Sequence, residues 1–387
     1  TTLGYFAFWI VVVYLAFTVV NLPYFAWGAE LTGDYNERTK VTGRREQFHY
    51  TGVVIATALP LTAGILIYLS QDTNSIQTLL ANIEVELGAV MEARAGNLDV
   101  ILQWLTVFIL VALPITVFFG TVFVKEPSQV VIPRRKPSFM ASLRVIRRNG
   151  PFVRLVVCYT VSTVGGAMTG ALSFFFCKHV IDAGEWYSVY LLVYYVASTL
   201  GLFFWMWLAN RIGKHRTFIV LVIWYSVWAS FIPFIPPGYF GVFLIIMTMK
   251  GCTEGAMLAI PAAMAADAVD IDSARTGEQR AGLYFSVWGM LLKGGVAIGG
   301  AIALLIVGWF GFDATADPSL ARTSDGNSSL SLLMLALAYS IIPAAIKFLA
   351  LPFIWKYPLT EERQKRIRQR LERRGVSISS GSEEGLA

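Results

Sequence analysis

Four polar side chains lie within long apolar stretches of the sequence, where they could bind a solute or a cation. Lys250 and Glu254 lie four residues apart near the middle of one stretch, and Lys293 lies near the middle of another. Asn21 lies past the middle of a third. If these stretches cross a membrane, each charge at a helix centre costs about 2.5–3.5 kcal/mol, so few charges persist there without a role. The pattern therefore favours a polar cavity that binds a substrate or moves a cation.

The same residues also have simpler explanations, which the sequence leaves open. Lys250 and Glu254 share one helix face, so they could form a self-neutralising pair that only keeps the helix in register. No acid lies one turn from Lys293 on its own helix, so its partner must come from another helix, such as Glu254 or a residue upstream. Nearby aromatic side chains could stack on a sugar ring, or could only pack and anchor the helices. They are Tyr14, Tyr24, Phe25, Trp27, Tyr284 and Trp288.

The composition shows which elements must position these side chains. Of 387 residues, 56% are apolar and 14% are charged. An ordinary soluble domain is about half apolar and about a quarter charged. The aromatic share of 14% suits a chain with two bilayer interfaces to mark. A water-soluble enzyme, a disordered chain and a coiled coil are excluded, and an all-α polytopic membrane protein is predicted.

The sequence offers no constellation for catalysis or for a cofactor. It has no phosphate-binding G-x-x-x-x-G-K-[ST] loop. Its three histidines form no ligand cluster, and its three cysteines fit neither a disulfide framework nor a zinc spacing. We therefore expect no enzyme activity, no cofactor and no metal site within this chain. A nucleic-acid partner is not expected either, because the basic tail is explained by its place beside a membrane.

Nine apolar stretches are long enough to cross a bilayer as helices, which takes roughly 20 residues each. Basic residues concentrate in every second connection, with four between 28 and 46, seven between 125 and 150, and eight from 356 onward. The positive-inside rule therefore places these segments, including the C-terminus, in the cytoplasm. The chain would then start outside the cell, which predicts an odd number of helices upstream. The nine spans cover residues 3–27, 48–70, 101–124, 152–177, 187–209, 217–235, 240–262, 282–309 and 330–355.

Local structure is also predicted outside and within the spans. Residues 137–150 predict an interfacial amphipathic helix, with Phe139, Leu143 and Ile146 on one face and the arginines elsewhere. The tail from Thr360 predicts a solvated basic helix on the anionic inner leaflet, followed by a disordered end. Prolines within the spans favour broken helices around a central site. They are Pro23, Pro60, Pro114, Pro233, Pro261 and Pro343.

Three motifs contain most of the polar residues near the spans. Residues 21–39 are N-L-P-Y-F-A-W-G-A-E-L-T-G-D-Y-N-E-R-T. Residues 266–286 are A-D-A-V-D-I-D-S-A-R-T-G-E-Q-R-A-G-L-Y-F-S, and Lys293 follows seven residues later. Residues 208–216 are the shorter L-A-N-R-I-G-K-H-R. In order and spacing the motifs resemble those of the glycoside–pentoside–hexuronide:cation symporters, the melibiose-permease-like branch of the major facilitator superfamily. The resemblance covers essentially the whole chain.

The resemblance implies a twelve-helix major facilitator fold in which the nine spans are helices four to twelve. The first three helices, with the family's cation-binding carboxylates, would lie upstream. Residues 1–124 would complete the N-terminal helix bundle, and 125–150 would be a cytoplasmic linker with its amphipathic helix. Residues 151–355 would form the C-terminal six-helix bundle, and 356–387 a cytoplasmic basic helix and disordered tail.

The resemblance also implies roles for single residues. The family's sugar-contacting acid on its fourth helix falls on Asn21, an amide, and its tryptophan four residues later falls on Phe25. These two differences weaken the case for galactoside specificity. The lysine beside the family's cation site matches Lys293. The charges that pair across the cytoplasmic face, and so form a gate, match Arg38, Asp267, Asp270 and Arg280.

Together these observations predict a secondary active transporter that couples Na+ or H+ to symport of a sugar or glycoside by alternating access. A carrier of an amphipathic or lipid-like solute on the same scaffold is one alternative, and a non-transporting membrane sensor or scaffold is another. We expect a monomer in a plasma membrane, the inner membrane of a bacterium, with the bilayer and a small solute as partners. The predicted substrate-binding residues are Asn21, Tyr24, Phe25, Trp288 and Glu254, and the predicted cation-coupling residues are Lys293, Glu254 and Lys250.

Overall fold

The computed structural model describes residues 3–30, 35–71, 98–123, 139–276, 280–320, 326–359 and 361–373. Over these residues the regular structure is entirely helical, so the predicted all-α fold is confirmed. Single 3₁₀ turns lie at Ile232–Phe234 and Pro318–Leu320. The α-helices are α1 (Leu3–Glu30), α2 (Tyr35–Gln71), α3 (Leu98–Phe123), α4 (Phe139–Arg148), α5 (Gly150–His179), α6 (Tyr187–Ile212), α7 (Lys214–Phe231), α8 (Phe240–Gly251), α9 (Glu254–Thr276), α10 (Ala281–Trp309), α11 (Ser329–Tyr339), α12 (Ile341–Trp355) and α13 (Glu361–Arg373).

Eight segments of the described chain are long and apolar enough to cross a membrane. The remaining predicted span, 48–70, lies within α2, a single helix of 37 residues. A multi-pass membrane architecture is therefore confirmed. The numbering of the spans as helices four to twelve and the domain boundaries stay predictions. The eight segments are Leu3–Phe25, Leu102–Phe123, Gly150–His179, Tyr187–Ile212, Lys214–Phe234, Phe240–Thr276, Ala281–Trp309 and Ser329–Trp355.

Two of these segments are interrupted within the span. Helices α8 and α9 are separated by Cys252 and Thr253, which form a turn. This turn is pressed against α6, because a Cβ at Gly201 would overlap the carbonyl oxygen of Cys252. Helices α11 and α12 are interrupted in a similar way at Ser340. At the first interruption the N–H of Gly255 at the start of α9 donates to the Ser198 hydroxyl of α6 at 2.9 Å, so a side chain satisfies part of the new helix end.

The sequence predicted that the helices break at the prolines within the spans, and this prediction is wrong for most of those prolines. Pro233 lies in the 3₁₀ turn that follows α7, and Pro343 lies in the first turn of α12. The turn between α8 and α9 contains no proline, and its place follows from the close contact with α6. The other prolines singled out from the sequence lie inside continuous helices. They are Pro23, Pro60, Pro114 and Pro261.

Helix packing brings α1 and α2 to face α5, α9 and α10. Helix α5 packs against α10, α11 and α12, while α2 packs against α6 and α9, and α1 packs against α10. The start of α5 is fixed by Asn149, whose side-chain oxygen accepts a hydrogen bond from the N–H of Phe152 at 3.3 Å. The Asn149 amide donates to the carbonyl of Ala268 at 2.7 Å, which ties α5 to α9. These contacts leave a space between the two sets of helices.

The two helices predicted outside the spans are present as α4 and α13. In α4, Ile146 is buried while Arg144, Arg147 and Arg148 are exposed, as the amphipathic pattern predicts. The other two side chains of that predicted face lie outside the described part. The prediction that the tail helix is solvated is wrong in part. Helix α13 packs against α9 and α2 and buries Gln364. The end of the tail predicted to be disordered lies outside the described residues.

Candidate transport site

A cavity of about 660 Å³ lies between α1 and α2 on one side and α5, α9 and α10 on the other. Cavities of about 300–1,000 Å³ are typical of sites for small molecules. Most of the wall is aromatic or aliphatic, as in such sites, and a few polar side chains interrupt it. The polar and charged lining residues are Thr18, Asn21, Arg45, Glu46, His49 and Lys293.

Aromatic rings form much of the cavity wall. Trp288 of α10 stacks on Tyr159 of α5 with ring centroids 4.7 Å apart, and Phe25 of α1 stacks on Phe285 of α10 at 6.4 Å. The guanidinium of Arg45 lies 4.3 Å from the centroid of the Phe25 ring, a cation–π contact. Flat aromatic faces of this kind can stack on the apolar face of a ring-shaped solute. The structure thus places on this wall three of the predicted substrate-binding residues, Tyr24, Phe25 and Trp288.

Lys293 reaches from α10 across the cavity to α1. Its Nζ donates a hydrogen bond to the hydroxyl of Thr18 and lies 5.4 Å from the centroid of the Phe17 ring. The partner does come from another helix, as predicted, but it is a hydroxyl and not the acid Glu254. Asn21 lies three residues from Thr18 on α1, and its amide donates to the carbonyl of Phe17 at 3.0 Å. The structure therefore brings Asn21 and Lys293 to one cavity, while their roles stay predictions.

A second cation in the cavity, Arg45, was counted from the sequence only as a loop charge. Its Nη2 lies 3.0 Å from Oε1 of Glu46, and both residues line the cavity together with His49. Arg45 and Glu46 were missed because the apolar span was predicted to begin at residue 48, and His49 was considered only as a histidine outside any ligand cluster. Helix α2 instead begins at Tyr35 and carries the polar segment into the bundle. The available signal was the absence of a proline between the basic segment and the apolar span.

Lys250 and Glu254 lie away from the lining of this cavity. The turn between α8 and α9 removes the spacing of a continuous helix, and no ion pair within 4 Å joins the two residues. Glu254 instead accepts a hydrogen bond from the Tyr194 hydroxyl at 3.0 Å, and Lys250 faces aromatic rings. The self-neutralising pair is therefore wrong. Leu258, one turn beyond Glu254 on α9, does line the cavity, so the predicted contact of Glu254 with a solute stays a prediction.

A buried network of ion pairs joins α2, α7, α9 and α13 at one end of the molecule. The Arg38 guanidinium lies 2.5 and 3.0 Å from the two carboxylate oxygens of Asp270, and 3.4 Å from Asp267. The Nζ of Lys214 lies 2.6 Å from the other oxygen of Asp267. Gln364 of α13 donates to Asp270 at 3.0 Å. All five side chains are buried. Each buried charge is therefore stabilised mainly by its partners in the network, and removing one partner leaves the other charge uncompensated.

Three of the four predicted gate residues meet in this network. Burial disfavours the charge of Arg38, but the carboxylates of Asp270 and Asp267 outweigh that effect and hold the pKa of Arg38 above its usual range. Arg280, the fourth, lies beside a different acid, with its Nη1 3.9 Å from Asp272. Arg280 directly precedes α10, and the acid beside it, Asp272, lies two residues beyond Asp270 on α9. The role of the network as a gate stays a prediction.

Sequence reasoning missed two members of the network, Lys214 and Gln364. Lys214 belongs to the motif at residues 208–216, which was noted for its resemblance but not for a buried cation. Gln364 lies in a tail that was predicted to be solvated. Neither residue has a local sequence signal for burial, because both are buried only by helices distant in the chain.

A solute-sized cavity between helices of a multi-pass membrane protein, with an ion-pair network at one end, is an arrangement found in secondary transporters. The model of the MFS/sugar transport protein family matches residues 1–361, and the chain belongs to that family. The resemblance to major facilitator symporters is therefore confirmed.

Individual relatives are distant. The chain is 26% identical to the glucuronide carrier protein homolog of Escherichia coli (strain K12) over 279 residues, 67% of this chain and 55% of the relative. It is 23% identical to the sodium-dependent lysophosphatidylcholine symporter 1-A of Danio rerio over 370 residues, 90% of this chain and 65% of the relative. The chain thus matches less than two thirds of the length of either protein. A similar solved structure is that of the major facilitator transporter FucP in the outward conformation, at 17% identity and a TM-score of 0.43, covering 88% of this chain and 90% of that one.

Proposed function

We propose that the protein is a secondary active transporter that couples Na+ or H+ to symport of a glycoside. The observation that carries this proposal is the cavity between α1 and α2 and the helices α5, α9 and α10. A sugar presents an apolar C–H face and a rim of hydroxyl groups. The aromatic rings of Trp288 and Tyr159 can pack against the C–H face of the sugar. Asn21 and Lys293 can form hydrogen bonds with its hydroxyl groups.

The charges around the cavity favour a glycoside that carries a negative group. Lys293 and Arg45 are both cationic, whereas Glu46 is the single acid among the described lining residues and lies against Arg45. A carboxylate on the solute could approach Lys293 and displace Thr18 as its partner. The name of the Escherichia coli relative supports a glucuronide as the first solute to test.

Alternating access requires a seal that can break on either side of the bound solute. We assign this role at one side to the network of Arg38, Asp267, Asp270 and Lys214, which connects α2 to α7 and α9. By the loop charges this side faces the cytoplasm, so the conformation corresponds to a carrier closed to the cytoplasm. Arg280 and Asp272 add a second pair next to the seal.

Coupling to a cation requires that the cation and the solute change each other's affinity. In this proposal Lys293 competes with the coupling cation for the same acidic partners, and cation binding frees its ammonium for the solute. In the described structure Lys293 contacts the Thr18 hydroxyl and no carboxylate within 4 Å. This cross-helix contact is one that a solute could replace. The protein is proposed to act as a monomer in a bacterial inner membrane, with α13 in the cytoplasm.

An amphipathic or lipid-like solute is the second candidate. The observation that favours it is the large aromatic and aliphatic share of the cavity wall, together with an amide at Asn21 where the resembling family has an acid. The name of the Danio rerio relative points in the same direction. A zwitterionic head group would place its phosphate near Lys293 and its chain against the apolar wall.

Uptake by proteoliposomes separates these candidates. The full chain is reconstituted, and the entry of radiolabelled methyl β-D-glucuronide, methyl β-D-galactoside or lysophosphatidylcholine is measured with and without Na+ or pH gradients. Gradient-driven uptake of the glucuronide supports the proposal, and uptake of the lysophospholipid alone supports the second candidate. If no solute enters in response to either gradient, the transporter proposal fails and a sensor or scaffold is favoured.

A further inference from the structure

Lys250 is a buried cation for which the transport cavity provides no role. It is 0% exposed, and its Nζ has no hydrogen-bond partner among the described residues. The nearest groups are aromatic rings, with centroids 4.8 Å away for Tyr225 and 5.1 Å away for Tyr339. Ring faces attract a cation, but they do not replace the hydrogen bonds that an ammonium group makes in water. The environment of Lys250 therefore suits an amine at least as well as an ammonium.

A second buried lysine, Lys347 of α12, lies beside it. Its Nζ is 3.8 Å from the centroid of the same Tyr225 ring and 3.5 Å from the sulfur of Met257. Gly165 of α5 lets α12 approach closely here, since a Cβ there would lie 2.7 Å from the carbonyl oxygen of Pro343 and 3.3 Å from Cγ of Lys347. Because both Nζ atoms lie around one ring, a charge on Lys347 opposes a charge on Lys250.

Glu254 is the acid whose charge acts on both lysines. It lies at the first residue of α9, where the helix N-terminus favours a negative charge, and Lys250 lies near the end of α8, where the C-terminus favours a positive one. In this conformation, however, no carboxylate of the described residues lies within 4 Å of either Nζ. The Glu254 carboxylate is held by the Tyr194 hydroxyl instead.

The two rings that face Lys250 carry hydroxyl groups, and each hydroxyl has another hydroxyl beside it. The Tyr225 hydroxyl lies 3.1 Å from the Thr169 hydroxyl, and the Tyr339 hydroxyl lies 3.3 Å from that of Tyr190. The titratable or charged groups that act on Lys250 are the rings of Tyr225 of α7 and Tyr339 of α11, Lys347 of α12 and Glu254 of α9. Tyr190 and Tyr194 of α6 reach it only through these groups, since they contact Tyr339 and Glu254.

Two ammonium groups and one carboxylate would leave an excess positive charge in an apolar part of the bundle. A buried ionised group without a partner is costly, and a lysine commonly avoids this cost by losing its proton. We propose that Lys250 exchanges a proton during the transport cycle, so that the cluster of Lys250, Lys347 and Glu254 is the binding site of a coupling proton. The proposal rests on the transport function proposed above, with H+ as the coupling ion. It places that proton at Lys250, apart from Lys293 and from the upstream carboxylates that the resemblance to symporters implies.

The turn between α8 and α9 provides the change of geometry that such an exchange requires. In the present conformation Lys250 and Glu254 are apart, which favours the neutral amine. A movement at this turn that brings Nζ to the Glu254 carboxylate favours the ammonium. On that movement the amine lone pair takes one H+ from H3O+ on the side to which the cavity is open, which leaves one water and forms one N–H bond. On return, with the cavity open to the other side, the ammonium gives that H+ to a water there and forms H3O+. In this proposal water reaches the cluster from the transport cavity, whose lining includes Leu258, one turn beyond Glu254 on α9.

Substitutions of Lys250 separate proton exchange from a structural positive charge. Methionine preserves the length of the side chain without the charge, and arginine preserves the charge but does not lose its proton in proteins. The full chain in proteoliposomes is tested with methyl β-D-glucuronide under a gradient of one pH unit, which supports accumulation of about tenfold with one proton per solute. Counterflow, the exchange of labelled for unlabelled solute, is measured alongside without a gradient.

We expect both Lys250→Met and Lys250→Arg to lower the ratio of solute inside to solute outside to about 1. We expect the rate of counterflow to stay within about twofold of the wild type. Lys356→Met, at an exposed lysine, is the matched control and keeps both activities. Accumulation retained by Lys250→Arg would show that a fixed charge suffices and would overturn the proposal. Accumulation retained by Lys250→Met would overturn it as well. If the wild type itself shows no counterflow, the result would instead refute the transport function.

A measurement without solute tests the site directly. Protein with ¹⁵N-labelled lysine side chains is placed in lipid nanodiscs and titrated between about pH 6 and about pH 9, below the range in which exposed lysines lose their protons. We expect one amine signal that appears in this interval, is absent from Lys250→Met and persists in Lys356→Met. If every lysine stays an ammonium throughout, or if the amine signal survives in Lys250→Met, the proposal is wrong whatever the uptake assays show.

Discussion

Arg38 holds α2 to α9, and replacing it by methionine should open the end of the molecule that the network seals. The substitution removes the bonds of 2.5 and 3.0 Å to Asp270 and the longer one to Asp267. Asp270 would keep Gln364 as its partner, and Asp267 would keep Lys214. Removing one partner of a buried ion pair costs about 3–5 kcal/mol, because the remaining charge is left without compensation.

That cost falls only on the conformation in which α2 and α9 meet. Since each 1.4 kcal/mol changes an equilibrium about tenfold, the ratio of closed to open molecules should fall at least about 100-fold. A cysteine at His49 reports the change, because His49 lines the cavity and lies eleven residues beyond Arg38 on α2, about 16 Å along the helix. The assay is the rate of labelling by a membrane-impermeant maleimide applied from the network side, in a chain whose Cys252 has been replaced.

We expect labelling at least about tenfold faster in Arg38→Met than in the parent. Arg216→Met, which removes an exposed arginine, should leave the rate unchanged. Adding Asp270→Asn to Arg38→Met should restore much of the slow rate, because the buried acid no longer lacks a counter-charge. An unchanged rate in a variant that still folds would refute the gating role and leave the network a structural one.

Three further changes test the remaining contacts. Gly201→Ala should lower thermal stability by about 1–3 kcal/mol, because the added carbon would overlap the carbonyl oxygen of Cys252. Gly300→Ala, which meets open space, is its control in a detergent melting assay, and equal melting temperatures would contradict the packing. Lys293→Ala should abolish cation-driven accumulation in proteoliposomes while membrane insertion stays intact, and unchanged accumulation would reject its coupling role. Trp288→Ala should weaken equilibrium binding of the solute about tenfold and Trp288→Phe should recover most of it, whereas equal Kd values would show that the ring does not stack on the solute.

The helical elements were predictable from the sequence because long apolar runs have few other solutions in a bilayer. Helices α1 and α3 are the clearest cases, since their spans have the highest mean hydropathy together with α10 and apolar length is enough to predict them. The meeting of Arg38 with Asp267 and Asp270 was predictable only through the resemblance to symporters. No local pattern relates residues that are more than 220 positions apart.

Other parts of the site depend on tertiary packing and could not be predicted in the same way. The separation of Lys250 from Glu254 follows from the turn pressed against Gly201, whereas their spacing alone suggested one helix face. Lys347 is different, because the criterion that selected Lys250 and Lys293 applies to it equally. It lies 17 residues into the predicted span 330–355. The signal was present, and its meaning emerged only once Tyr225 placed the two lysines around one ring.

Helix α9 connects the three parts of the proposed mechanism. Glu254 begins it, Leu258 lines the cavity, and Asp270 near its other end holds Arg38. From Glu254 to Asp270 the helix rises about 24 Å, most of the roughly 30 Å of a hydrocarbon core. A packed helix of this length shifts as a unit, so loss of the Arg38 contact would move the cavity wall and Glu254 together. Lys250 lies on the other side of the turn, and its distance from Glu254 would change with the gate. Arg38→Met should therefore alter the pH dependence of solute transport, although Arg38 lies far from the proton site. An unchanged pH profile would show that the ion-pair network and the proton site are not coupled through α9.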